Sequence, residues 1–390
     1  MQIAEIRTGG CAGETGTIPR FCFTTADLAP RDRFQAWRKT IEVLFESAPP
    51  KRPSLSPFSA TLTAFHFGVF LLCHSQIDAG RYRRSARRLQ WDDVDHFVLS
   101  LCLRGSVVFG RNGAFPARLR PLDIGILDLS ASADILIAQG EAISLILPRT
   151  AMPPSVAGPS PRPGWVLLRE SPLGAFLGRL MVGLIAAAPR LGMHEATALA
   201  LGLPAVVASC LGADPRCQPE GSRTARADIG RQLRLHIEKN LHLETLGSTK
   251  LMADLHLSRS QLYRQFEKTG GVGHYIRRRR LRRCLLTLCS PLHADQRIAD
   301  IAYDMGFTDE AHFSRLFRQT FGVSPRAARA AARRGDGAVL AALVPSPPDS
   351  SRFADWIVTL MGGDGSRSPR PLGRLSNFLR RAHNDSTPYS

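Results

Sequence analysis

Residues 297–325 read RIADIAYDMGFTDEAHFSRLFRQTFGVSP. Ile298, Ile301, Ala302 and Met305 recur at i, i+3, i+4 and i+7, which puts one apolar stripe on a short helix. Gly306 is the expected stop, because a tight turn between helices needs a positive φ that glycine adopts at little cost. Thr308 is the expected cap of the next helix, with Asp309 and Glu310 at its positive end. Phe313, Leu316 and Phe317 form that helix's inward stripe and leave Ala311, Ser314, Arg315 and Arg318 on the opposite face. Gly322 and Pro325 close the unit. Helix, glycine turn, helix with a basic outer face is the layout that seats a second helix in a major groove. A helical hairpin with a solvated charged face shows the same pattern, so the reading needs further support.

That support lies upstream. LMADLHLSRSQLYRQFEK at 251–268 repeats the plan: Leu251 and Leu255 face inward, Leu257 plugs the turn, and Leu262 and Phe266 form the second stripe. Ser258 and Gln261 have capping-box spacing, which marks a helix start. Ser260, Gln261, Arg264 and Lys268 share the outer face, with Arg259 and Tyr263 beside it. His256 stands where the downstream unit has its turn glycine. Between the units, HYIRRRRLRRCLLTL at 274–288 offers Ile276, Leu281, Cys284, Leu285 and Leu288 as an apolar face. Such an arginine run is commonly a solvated face or a targeting signal; here it is expected to be a linker helix with some arginines near phosphates. Ser258 and Thr308 open the two recognition helices 50 residues apart. One rigid linker can therefore present both in successive major grooves, roughly 34 Å apart.

The charge distribution agrees. The 390-residue chain carries a formal net charge of +18, and residues 229–334 hold 20 Lys and Arg against 9 Asp and Glu. Residues 1–228 hold 25 against 19, and 335–390 hold 6 against 5. A basic excess gathered in one segment points to a polyanionic partner for that segment.

These residues resemble the DNA-binding domain of the AraC/XylS family of bacterial transcription regulators. The resemblance is carried by IADIAYDMGFTDEAHFSRLFRQTFGVSP at 298–325, L-x-x-x-L-x-L-S-R-S-x-L-Y-R-x-F at 251–266, and YIRRRRLRRCLL at 275–286. Met252 departs from the usual alanine, His256 from the turn glycine, and Ala328 from an aromatic; Arg329 keeps the usual arginine. The resemblance implies base-reading roles for Arg259, Ser260, Tyr263, Arg264, Glu310, Ala311, His312, Ser314 and Arg315. Gln261 on the same outer face joins them. Arg315 is expected to meet a guanine edge, and Lys268, Arg277, Arg278 and Arg318 to meet phosphates.

The N-terminal half reads as β structure over 58–148. Phe65, Phe67, Val69, Leu71 and Cys73 alternate, as do Phe97, Leu99, Leu101 and Leu103, then Leu122, Ile124 and Ile126, then Ile143, Leu145 and Leu147. Asn112-Gly113 is a hairpin signal. Helices are expected at 173–188 and 194–211, a Pro/Gly-rich break at 148–164, and a linker at 213–226. This half is similar to the AraC-binding-like sensor domain of one branch of the family, through FTTADLAPRDRFQAWR at 23–38, the basic strand 81–84 and LRPLDIGILD at 119–128, where Leu122 replaces a glycine. The similarity implies a small effector inside a barrel and dimerisation through the helices after it. Arg81, Arg83 and Arg84 read either as contacts to an anionic effector or as a solvated edge strand.

Other classes find little footing. There is no nucleophile motif and no phosphate-cradling glycine loop; His66, His74 and His96 are scattered, with no H-x-H or H-x-x-x-E group. No enzyme activity, metal or cofactor is expected. Eight cysteines without a C-x-x-C pair suggest reduced core thiols in a cytoplasm. The apolar stretches 97–109 and 176–188 are interrupted by Arg and read as too short for a bilayer. Residues 335–390 read as a largely disordered tail, with apolar islands at 356–361 and 375–379 that leave room for a small partner-binding element.

The expected architecture is multidomain α+β. A cupin-like β-barrel or sandwich with following helices spans 21–212 and a linker 213–228. An all-α domain spans 229–332, with helix-turn-helix units at 248–269 and 298–321. The expected function is an effector-responsive, sequence-specific DNA-binding transcription regulator. Duplex promoter DNA, RNA polymerase, a small-molecule effector and a second copy of the chain are the expected partners. An architectural nucleic-acid-binding protein without effector sensing is the alternative.

Overall fold

The computed structural model describes residues 18–49, 56–89, 94–111, 114–149, 152, 165–213, 229–267, 270–290, 293–334 and 353–360. Its first half is one antiparallel sheet. The strands are β1 (Arg20–Thr24), β2 (Glu46–Ala48), β3 (Ala60–His66), β4 (Leu71–Ile77), β5 (Gly80–Arg84), β6 (Phe97–Arg111), β7 (Ala114–Leu119), β8 (Ile124–Asp128), β9 (Ala133–Leu147) and β10 (Trp165–Leu167). They run in the order β1-β3-β4-β9-β6-β8-β10, with β5 joining β2 to β9 and β7 lying beside β6.

The two 15-residue strands β6 and β9 form the spine. Phe97, Leu99, Leu101 and Leu103 of β6 enter one buried cluster with Ile143, Leu145 and Leu147 of β9. Further along, Val107, Phe109, Ala133 and Ile135 enter the other. Odd-numbered residues thus change faces part-way along both strands, which a regular pleat forbids. The register shifts between Cys102 and Arg104 and between Gly105 and Val107 account for it. Gly105 has φ +91, and a Cβ there would sit 1.7 Å from the carbonyl oxygen of Gln139. Only glycine permits this bend.

Two expectations need correction here. Phe65–Cys73 is not one alternating strand: Gly68, at φ +78, turns the chain between β3 and β4, and Phe67 stacks on Phe70 at 4.6 Å. Nor is β5 a solvated edge, since it pairs with both β2 and β9. Asn112-Gly113 lies outside the described residues, but Arg111 pairs with Ala114 across it.

Helices α1 (Arg33–Ile41) and α2 (Ala86–Leu89) decorate the sheet. After it come α3 (Pro172–Ala187), a 3-10 turn and α4 (Met193–Ala213). Ser171 caps α3 by accepting from the Gly174 N–H, with Pro172 at the first helical position. Residues 172–190 and 195–213 are, by length and composition, apolar enough to cross a membrane, contrary to the sequence reading. They pack Leu177, Met181 and Ile185, then Ala196, Val207 and Leu211, into the same cluster as the sheet's first face. Burial of that stripe is what an amphipathic core helix does.

The basic segment is all helix: α5 (Ile229–Lys239), α6 (Ser248–Leu255), α7 (Arg259–Phe266), α8 (Val272–Cys289), α9 (Ile298–Asp304), α10 (Glu310–Phe321) and α11 (Pro325–Arg333). Its two halves have different cores. Leu233, Ile237, Leu251, Leu262, Phe266 and Tyr275 form a cluster of their own. Cys284, Leu285, Ile301, Phe313 and Phe317 belong to the cluster that includes the sheet, α3 and α4.

The tail is not wholly without structure. Phe353–Leu360 forms α12, and Phe353, Trp356, Ile357 and Leu360 are buried against the sheet's second face with Trp37, Val98 and Ile146. An i, i+3, i+4, i+7 stripe in an apolar island explains the correction. The rest of 335–390, including the island at 375–379, lies outside the described residues.

Candidate nucleic-acid interface

The first unit turns on a histidine. His256 takes the left-handed conformation, φ 51 and ψ 45, and its N–H reaches the Met252 carbonyl at the end of α6. Histidine tolerates this region better than branched residues do. Leu257 N–H also reaches Met252, at 3.0 Å. The capping box then starts α7: the Gln261 N–H donates to Ser258 Oγ, and the Ser258 N–H donates to Gln261 Oε1 at 2.9 Å. Leu262 and Phe266 are buried, while Arg259, Ser260, Tyr263 and Arg264 are exposed and Gln261 is half-buried. The Arg259 guanidinium lies 5.4 Å over the Tyr263 ring, which pre-sets its direction.

The second unit follows the same plan with a glycine. Gly306 has φ +73. The cap of α10 is Asp309, whose carboxylate accepts from the Ala311 N–H at 2.9 Å; Thr308, expected in that role, falls one residue too early. Phe313 and Phe317 are fully buried in a run of tilted and edge-on rings from Phe307 to Phe321. Their opposite face exposes Glu310, Ala311, His312, Arg315 and Arg318, with Ser314 half-buried.

Helix α8 joins the units, and its arginines divide the labour in a way the sequence did not reveal. Arg279 is buried, and its Nε donates to Glu238 of α5 at 2.5 Å. Burial alone would lower its pKa; the Glu238 carboxylate outweighs this, and the net shift is upward. Arg280 donates to three main-chain carbonyls: Leu241 at 2.9 Å, Leu243 at 2.5 Å and Gly306 at 2.9 Å. One guanidinium therefore ties the loop after α5 to the turn of the second unit, using the fork of donors that lysine lacks. Arg277 is exposed and Arg278 half-buried, while Lys268 lies outside the described residues.

Residues 251–331 match the helix-turn-helix domain family. The chain is 25% identical over 309 residues to the transcriptional activator NphR of Rhodococcus sp, covering 77% of this chain and 90% of that protein. It is 33% identical over 101 residues to the regulatory protein PocR of Salmonella typhimurium, covering 25% of this chain and 31% of PocR. The solved AraC-like transcriptional activator CuxR superposes with a TM-score of 0.57 at 24% identity, over 67% of this chain and 93% of that one. This likeness spans both halves of the fold. The chain carries a helix-turn-helix domain at its C-terminus and is similar to AraC-like transcription regulators. It binds DNA through its C-terminal helices, and its N-terminal half is the antiparallel sheet with following helices of the AraC-like fold.

Within this fold the basic strand β5 is structural. Arg84 is buried and donates to the carbonyls of Leu129, Leu44 and Val94, so it is not a free anion contact. Arg83 lies 3.4 Å from Asp134, and Arg81 is exposed. His66, His74 and His96 are all buried, and His74 pairs with Glu141 at 2.9 Å. Among the described residues no group of three His, Cys, Asp or Glu is placed to hold a metal. Cys73, Cys102, Cys210, Cys284 and Cys289 are buried thiols, and burial raises the pKa of each.

Proposed function

We propose that this regulator reads two successive major grooves, α7 in one and α10 in the next. The observation that carries this reading is the matched pair of exposed recognition helices at opposite ends of α8, whose Arg280 ties the first unit's loop to the second unit's turn. Arg259, Ser260, Gln261, Tyr263 and Arg264 read bases in the first groove, and Glu310, Ala311, His312, Ser314 and Arg315 in the second. Lys268, Arg277, Arg278 and Arg318 contact phosphates. Domain limits follow at 21–212 and 229–332, with a linker at 213–228.

The finer assignment is a cytoplasmic activator without enzyme activity. Its N-terminal half takes a small-molecule effector, and it works at promoters with RNA polymerase. The relatives' names support activation, since NphR and RhaS of Escherichia coli are transcriptional activators. A homodimer forms through α3 and α4, where Phe176 is 50% and Val206 39% exposed.

Selection of sites from a random duplex pool tests the groove assignment. An enriched motif of two short blocks one helical turn apart is expected. Arg315→Ala should weaken binding to that motif by about 1–3 kcal/mol while leaving random duplex nearly unaffected. Equal loss on both would make Arg315 a phosphate contact. Binding without any enriched motif would favour an architectural role instead.

A further inference from the structure

The C-terminal helix α12 occupies a position from which it can govern the DNA-binding helices. Two short chains of contact run from it, each through a buried histidine, to an arginine of the basic segment. In the first, the Trp356 ring lies edge-on to His66, with centroids 5.3 Å apart. His66 Nδ1 accepts from the Gly68 N–H at 2.9 Å, and the Gly68 carbonyl accepts from Arg282 of α8 at 2.8 Å. In the second, His96 Nε2 donates to the Ile357 carbonyl at 3.1 Å. The preceding residue, Asp95, holds Arg234 Nε of α5 at 3.2 Å, with both side chains largely buried.

The sheet residues at the middle of each chain are turn or strand-entry positions. His66 ends β3 at the turn into β4, and 94–96 leads into β6. Backbone bonds from His66 to Pro19 and from Leu129 to His96 fix part of each segment, and what packs on them sets the rest. Here α12 packs on both. The α5 helix belongs to the first unit, whose core is separate from that of the sheet. Its Asp95–Arg234 pair is therefore a point at which the sheet holds the first reading head directly.

We propose that α12 is an intramolecular latch that holds α5 and α8 against the sheet, and that its release frees the first helix-turn-helix unit for DNA. The occupant of the surface under α12 is this chain's own residues 353–360. The reading rests on the DNA-binding function of the basic segment. If only the unlatched form binds DNA well, the apparent dissociation constant rises in inverse proportion to the unlatched fraction.

The full-length double variant Trp356→Ala/Leu360→Ala tests it, because both changes lie in α12 and leave the sheet's own residues intact. Backbone hydrogen exchange read by mass spectrometry should show lost protection at 353–360, faster exchange at 66–68 and 94–96, and faster exchange in α5. Affinity for a selected duplex should tighten at least fivefold. Asp95→Asn, nearly the same shape, should loosen α5 in the same way with α12 still protected. Combining it with the tail variant should give less than the sum of the two effects. If the double variant leaves α12 protected, a chain ended after Pro348 supplies the same comparison. Release of α12 with unchanged exchange in α5 and affinity within twofold would overturn the latch. Absence of DNA binding in parent and variants alike would instead sink the DNA-binding reading, and the exchange in α5 would still decide the latch.

Discussion

Leu122 sits at φ +73 with 42% of its surface exposed, and its N–H is bonded to the Cys102 carbonyl. An L-residue in this region costs about 1–2 kcal/mol, and glycine there loses about 0.5–1 through its freer unfolded chain. Leu122→Gly should therefore stabilise the protein by up to about 1 kcal/mol in urea unfolding; a loss would show that the Leu122 side chain does packing that its exposure conceals. His66 makes a different kind of prediction. Burial, then the Arg282 charge, lowers its pKa from 6.5 to about 3. The unfolded chain binds a proton near pH 6.5 that the folded chain refuses until about pH 3, so stability is full above that window and falls as pH drops through it. Burial acts in the same direction on His96, against Asp95. His66→Gln, which can still accept from Gly68, should lessen the dependence of unfolding free energy on pH between 6.5 and 4 by up to about 1.4 kcal/mol per pH unit. An unaltered slope would mean the ring is hydrated in solution. At this scale the sequence was partly legible. Gly306 announced its turn and Ser258 its cap, because both act through local backbone chemistry. The structural roles of Arg84, Arg279 and Arg280 did not show, because the carbonyls and carboxylate that claim them come from remote parts of the chain.

At the scale of elements, caps and cores weigh differently. Ser258→Ala removes a hydroxyl that accepts the Gln261 N–H, and should cost about 1 kcal/mol. Phe317→Ala empties a fully buried site between Phe313 and Phe321, and should cost about 3–5 kcal/mol. Chemical denaturation of both variants gives the comparison; similar losses would mean that the second unit's ring stack relaxes to fill the space. Helical periodicity exposed the helices of both reading units and the linker α8, because each buries one stripe, but α5 and α11 were not read from it. The sheet was less readable. Alternation in β6 gave its first half, but the face change around Gly105 depends on two register shifts against β9, which no single strand's pattern displays. For α12 the stripe at Phe353, Trp356, Ile357 and Leu360 was present, outweighed by the polar and proline-rich residues on either side.

For the whole molecule, charge placement matters most. If the segment 229–334, with its excess of 11 positive charges, meets phosphates at both heads, each neutralised phosphate releases counterions, and log affinity should fall with log salt at about −0.9 per contact. A titration from low to physiological salt should therefore show a slope of roughly −4 or steeper if four phosphate contacts form. A flat profile would count against the basic face as the DNA contact. The division into a sheet half and a basic helical half was plain from charge and periodicity. The way the halves meet was not, since Asp95–Arg234 and Arg282–Gly68 join residues more than a hundred positions apart.

The order of synthesis gives α12 one further consequence. The last strand of the sheet ends at Leu167, while the helix that covers its second face begins at Phe353. A ribosome adding about 5–20 residues per second needs on the order of 10–40 s to cross that interval. Throughout it the nascent chain carries an uncovered apolar surface. A premature stop codon anywhere in the interval would make that exposure permanent, so truncated products should be clients of chaperones and proteases even when everything they contain is folded.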